Sequence, residues 1–80
     1  MKATVLVRPK EGILDPQGEA VESSLRKLGF AVLDVRVGKV IDVEFQAEGA
    51  DGARSALERM CDELLANPLI ESYEIRLEGS

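Results

Sequence analysis

Eighty residues with a mass of 8.7 kDa support one modest hydrophobic core, because a chain of this size buries only about 60% of its extended surface on folding. Apolar residues make up 45% and charged residues 31%, the balance of an ordinary soluble domain. A net charge of −5, three aromatics (Phe30, Phe45, Tyr73) and no histidine argue against nucleic-acid binding, base stacking and the commonest general base and metal ligand. The single cysteine, Cys61, gives neither an internal disulfide nor a zinc site of usual spacing. No apolar run reaches the ~20 residues of a membrane span, and Met1–Val7 is too short and too soon interrupted by Arg8-Pro9 to be a signal peptide. A cytoplasmic, reducing location is expected. Charge is uneven: residues 1–39 carry seven basic and five acidic groups, residues 40–80 three and ten.

The first predicted element is a strand over Ala3–Arg8, with Ala3, Val5 and Val7 on one face and Thr4, Leu6 and Arg8 on the other. Pro9 ends it. A helix follows. Asp15 is its N-cap, Pro16 its first residue, and Gly29 its left-handed C-terminal cap. Val21, Leu25 and Leu28 form its apolar stripe, and Glu22 and Arg26 are spaced to pair on the wet face. Alternation predicts a second strand over Ala31–Val37 and a third over Val40–Ala47. An odd-length connection at Gly38 keeps both apolar rows on one side; a single long strand bent at Gly38 has the same parity. A second helix is predicted from Asp51 to Ala66, with Ala53, Leu57, Met60, Cys61 and Leu64 as its stripe. Asn67-Pro68 stops it. The last strand covers Ser72–Leu77.

The order β-α-β-β-α-β is that of the ferredoxin-like split βαβ. Right-handed crossovers place both helices on one face of a four-stranded antiparallel sheet. The α+β class and a single domain over residues 1–80 follow. The opposite face carries Leu6, Val32 and Val40 among polar residues, an expected interface between copies of the chain as a homodimer or a dimer of dimers.

Nothing in the sequence assembles catalytic machinery. Cys61 lies in an apolar stripe with no base to activate it. Asp42, Glu44, Asp62 and Glu63 are spaced as solvated strand and helix faces. Gly49-Ala50-Asp51-Gly52 lacks dinucleotide and P-loop spacing. Asp15-Pro16-Gln17-Gly18 reads as a capped helix start rather than an anion site. Arg36-Val37-Gly38-Lys39 sets two cations around a turn, suited to an acidic partner or phosphate, or simply to a solvated turn.

Three collinear stretches carry a resemblance: Gly12-Ile13-Leu14-Asp15-Pro16-Gln17-Gly18, Val35-Arg36-Val37-Gly38-Lys39, and Met60 to Glu74. Together they resemble the small subunit of phosphoribosylformylglycinamidine synthase, the PurS family, over essentially the whole chain. The resemblance implies a part in de novo purine synthesis, where formylglycinamide ribonucleotide, glutamine and ATP give formylglycinamidine ribonucleotide, glutamate, ADP and phosphate. It implies a dimer that assembles a large synthetase subunit with a glutaminase subunit and assists ammonia transfer between them. It assigns no catalytic, cofactor-binding or metal-binding residue to this chain; ATP, Mg2+ and glutamine are used by the complex. The expected partner-facing residues are Leu14, Asp15, Pro16, Gln17 and Gly18 at the helix start, and Arg36, Gly38 and Lys39 at the turn; turns presented at sheet ends are where function usually sits.

Two other functions share the element order. A dimeric ACT-like ligand-sensing module needs an amino-acid-shaped glycine loop after the first strand, and Arg8-Pro9-Lys10-Glu11-Gly12 is only faintly similar. An acylphosphatase-type enzyme needs an arginine cradle and an assisting asparagine, and the one asparagine, Asn67, precedes Pro68. A metallochaperone is excluded by the missing Cys-x-x-Cys pair.

Overall fold

A computed structural model describes residues 1–78. Its elements are β1 (Lys2–Pro9), α1 (Pro16–Lys27), β2 (Lys39–Glu44), α2 (Gly49–Met60), a π-helical turn (Cys61–Leu65) and β3 (Glu71–Glu78). β1 is the central strand, antiparallel to β2 on one side and β3 on the other. Val5 faces Ile41 and Ile75 across the two ladders, and Leu6 faces Val40 and Glu74. The alternation read in the sequence is therefore the alternation of the sheet: Ala3, Val5 and Val7 are buried, with Ile41, Val43, Tyr73, Ile75 and Leu77 half-buried around them. α2 lies over this face and contributes Ala53 and Leu57 to the core, and the π turn after it contributes Cys61.

The expected four-stranded sheet is not what forms. Among the described residues the sheet has three strands, β2-β1-β3, and residues 31–37 belong to none of them. Their alternating pattern is real, but they have no ladder partner. They return along α1 instead. The Arg26 guanidinium donates to the Val32 carbonyl at 3.3 Å, and the Val37 amide donates to Asp15 at the other end of the helix, at 2.8 Å. No hairpin joins 31–37 to β2, so the odd-length loop at Gly38 is also absent.

α1 with this extended return forms an arm. The helix starts as expected, with Asp15 accepting from the Gly18 amide at 3.0 Å and Pro16 in the first turn. It ends at Gly29, where φ is +98°. There the Phe30 amide reaches the Leu25 carbonyl and the Gly29 amide the Arg26 carbonyl, the paired bonds of a Schellman cap. Glu22 and Arg26 pair at 3.3 Å. The apolar stripe, however, is largely exposed, with only Leu25 half-buried. Gly18 is the one buried residue of α1; Leu28 is 73% and Leu33 93% exposed, and Val21 and Phe30 are also exposed. The molecule measures 50 × 26 × 14 Å with a radius of gyration of 15.9 Å, where a compact chain of this length has about 12 Å.

The second helix departs from its expected stripe in its last turn. α2 gives way at Cys61 to a π turn, which fits an extra residue into the turn. The stripe rotates accordingly. Leu64, expected in the core, is 84% exposed, while Leu65 packs against the core and Ala66 is buried. Arg59 and Glu63 pair at 3.4 Å across this junction.

Candidate functional site

The topology brings three connections to one end of the sheet. β1 leaves at Pro9, β2 enters at Lys39 and β3 enters at Glu71, so the loops 10–15, 36–39 and 66–70 are neighbours. Two of them were expected to face partners, and the structure ties them together through Asp15. One carboxylate oxygen accepts from the Gly18 amide at 3.0 Å and the other from the Val37 amide at 2.8 Å, with the Arg36 Nε 4.0 Å away. The Val37 bond, then the Gly18 bond, hold the Asp15 carboxyl below its usual range, with Arg36 adding to the effect. Arg36 in turn donates to the carbonyls of Pro9, at 3.3 Å, and Lys10, at 2.8 Å.

Glycines allow the close approaches. A Cβ at Gly18 would overlap the Val35 carbonyl oxygen, and one at Gly38 would overlap the Val7 carbonyl oxygen. Neither has a positive φ; the requirement is space.

The third connection, read in the sequence as a helix stop and as part of the Met60–Glu74 stretch that carries the resemblance, belongs to the same end. The Lys10 amide donates to the Ile70 carbonyl at 2.9 Å and its ammonium to the Pro68 carbonyl at 2.7 Å. Asn67 caps the turn through its side chain, accepting from the Leu69 amide at 3.1 Å, and its own amide donates to Glu71 at 2.8 Å. Strand parity carried the signal: the loops before β2 and β3 and the loop after β1 must share an end when both pairings are antiparallel.

Arg8, Arg36 and Lys39, with Leu6, Gly38 and Val40, line a cavity of about 470 Å³ at this end. Of the carboxylates nearby, Asp15 and Glu71 are engaged as above and Asp62 accepts from the Tyr73 hydroxyl at 3.2 Å, while Glu19 and Asp34 line an adjacent cavity beside Asp15 and Arg36. Arg8 and Lys39 have no carboxylate partner among the described residues.

Of the residues expected at an interface between copies, Leu6 and Val40 are paired across β1 and β2 on the face away from α2. Val32 does not join them. It lies in the arm, because the segment that carries it is not a strand of this sheet.

No reactive constellation emerges. Among the described residues no cluster of three or more histidine, cysteine, aspartate or glutamate side chains could hold a metal ion. Cys61 is buried, and burial, followed by the charges of Asp62 and Glu58, pushes its thiol pKa up, away from the thiolate a nucleophile needs.

Known proteins agree with this geometry. The family described as PurS, phosphoribosylformylglycinamidine (FGAM) synthase, matches residues 2–79. A PurS subunit of that synthase from Methanocaldococcus jannaschii is 41% identical over 78 residues, covering 96% of this chain and 94% of the relative. The crystal structure of Bacillus subtilis PurS superposes with a TM-score of 0.84 at 38% identity, covering 94% of each chain. A chain of the Thermotoga maritima PurLQS structure does so with a TM-score of 0.84 at 38% identity, covering 94% of this chain and 93% of that one. On the strength of a match running almost end to end, the chain belongs to the PurS family of phosphoribosylformylglycinamidine synthase.

Proposed function

We propose that this chain is the small, non-catalytic subunit of phosphoribosylformylglycinamidine synthase, acting in purine biosynthesis by assembling a synthetase subunit with a glutaminase subunit. The observation that carries the reading is the match over residues 2–79 to a family named for that synthase, and a solved relative sits in a structure named PurLQS. The loops at one end of the sheet, tied together through Asp15 and Lys10, offer a surface for such contacts. The chain binds no cofactor of its own; ATP, Mg2+ and glutamine belong to the other subunits. No helix of the described residues is long and apolar enough to cross a membrane, and the reading places the chain in the cytoplasm with its partners.

Assembly has a chemical purpose. Ammonia set free in neutral water is mostly ammonium, which has no lone pair for attack. A sealed passage between subunits keeps it neutral and concentrated. Leu14–Gly18 and the Arg36–Lys39 turn face the partner subunits, with Arg36 as the strut behind both loops.

The chain acts as a homodimer. The arm of α1 and residues 31–37 has an exposed apolar stripe and a strand-like segment without a ladder. β2 is an edge strand with one side unpaired, and Ile41 and Val43 on it are only half-buried. The arm of one copy fits the gap in the other: its extended segment along β2, its helix over Ile41 and Val43. Such a contact covers the open edge of β2. Leu6 and Val40 remain for a further contact in a dimer of dimers.

The test is assembly in solution. Light scattering after size exclusion should show the three subunits co-eluting only when this chain is present; a synthetase–glutaminase complex of equal stoichiometry and stability without it would overturn the reading.

A further inference from the structure

We infer that Arg36 is the positioning residue that fixes the direction of the arm, α1 with residues 28–37, relative to the sheet, and so readies it for a second copy of the chain. Its use by a second copy rests on the homodimer reading above; the fixed direction does not. The arm shares no apolar core with the rest of the molecule. Among the described residues, the hydrophobic cluster of the sheet and α2 takes no member from 10–37, and residues 31–37 make no backbone–backbone hydrogen bond.

What joins the arm to the sheet is polar and passes through Arg36. The chain crosses between them twice, outward at residues 10–15 and back at 36–38. From the return crossing, the Arg36 Nη2 donates to the Lys10 carbonyl at 2.8 Å and the Pro9 carbonyl at 3.3 Å, where β1 ends. Its Nε lies 4.0 Å from Asp15, whose carboxylate accepts from the Gly18 amide of α1 and the Val37 amide of the return segment. One guanidinium therefore spans the end of β1, the helix start and the returning chain. A planar fork of donors can serve these acceptors together; an ammonium is a point charge and cannot. Charge adds to the geometry. Asp15, Glu19 and Asp34 line one cavity beside Arg36, with Glu19 on α1 and Asp34 on the return segment, while Glu22 of the same cavity is paired with Arg26. Without the guanidinium, these carboxylates repel one another across the crossing. A clamp of charge-assisted bonds standing in for a packed interface holds its direction only while it is whole.

The test places a fluorophore pair on the full chain through Ser23→Cys on α1 and Ser55→Cys on α2, both exposed positions, leaving the buried Cys61 unlabelled. Single-molecule transfer efficiency is read at picomolar concentration, where copies do not meet, and sedimentation of the unlabelled chain measures self-association. Arg36→Ala, Arg36→Lys and the control Arg54→Ala, on α2, are compared with wild type after circular dichroism. We expect one narrow efficiency peak for wild type and a broadened, shifted peak for Arg36→Ala. Arg36→Lys, which keeps the charge without the fork, should fall between them. Self-association of Arg36→Ala should weaken at least about tenfold, as the loss of hydrogen bonds to a charged group does, and Arg54→Ala should match wild type in both measurements. A wild-type peak in Arg36→Ala, or a broadened peak with self-association undiminished, overturns the assignment. Should Arg36→Ala lose its fold, Arg36→Lys decides, and a wild-type peak there overturns the assignment too. A wild-type chain that stays monomeric overturns the homodimer reading and leaves the peak widths to judge Arg36.

Discussion

Replacing one glycine by alanine should destabilise the protein at Gly38 and stabilise it at Gly52. At Gly38 a new Cβ meets the Val7 carbonyl oxygen, with the Val7 carbonyl carbon and the Arg8 Cα within 3.3 and 3.4 Å. All three are backbone atoms of the central strand and cannot swing aside. The overlap must be relieved by moving β1 or the turn, a rearrangement that costs about 1–3 kcal/mol. At Gly52, inside α2, the same methyl meets nothing within 4 Å, and helix propensity favours alanine by about 1 kcal/mol. For a domain of this size each kcal/mol moves Tm by about 4–8 °C. Gly38→Ala should therefore melt at least about 4 °C lower, and Gly52→Ala about 4–8 °C higher. Circular-dichroism melts decide it, run at one protein concentration because dimerisation shifts Tm by mass action. A Gly38→Ala variant melting at or above wild type would refute the claim that the β1–Gly38 crossing has no room for a side chain.

Other consequences are quickly checked. Leu28→Asp/Phe30→Asp should convert the proposed homodimer to monomer in sedimentation at micromolar concentration, since both residues are exposed on the arm; an unchanged mass would remove the arm from the proposed dimer contact. Asp15 has a carboxyl pKa lowered from the ordinary 3.8 by the Val37 and Gly18 amides. Its stabilisation is therefore complete above that value and is lost as the pH falls through the lowered one. The stability advantage of wild type over Asp15→Asn should shrink below pH 3.8; a gap constant to the lowest pH would contradict the two amide bonds. Cys61, buried and with its thiol pKa raised, should react with a thiol reagent at neutral pH only after denaturant is added, and prompt labelling of the native protein would place it at the surface.

Much of this was legible in the residues. Asp15, Pro16 and Gly29 marked α1, because capping is local chemistry that needs no knowledge of the rest of the chain. Alternation assigned the two faces of β1, β2 and β3. It failed at Ala31–Val37 for a physical reason: a period of two records which side of an extended segment is apolar, not whether a neighbouring strand pairs with it. Leu64 was misplaced because a π turn leaves no mark in a 3.6-residue pattern until the stripe has already rotated. The Leu14–Gly18 and Arg36–Lys39 segments, proposed to face partners, were visible and do meet, through Asp15. That Lys10 and the Asn67–Ile70 turn join the same end was not visible, since it depends on hydrogen bonds between loops far apart in sequence.

The most direct measurement compares glutamine-driven with ammonia-driven formation of formylglycinamidine ribonucleotide by the synthetase and glutaminase subunits, with and without this chain. An assembling subunit predicts that glutamine-driven synthesis collapses when the chain is left out, while synthesis from added ammonium salt persists. Equal glutamine-driven rates in both mixtures, or turnover by the purified chain alone, would contradict it.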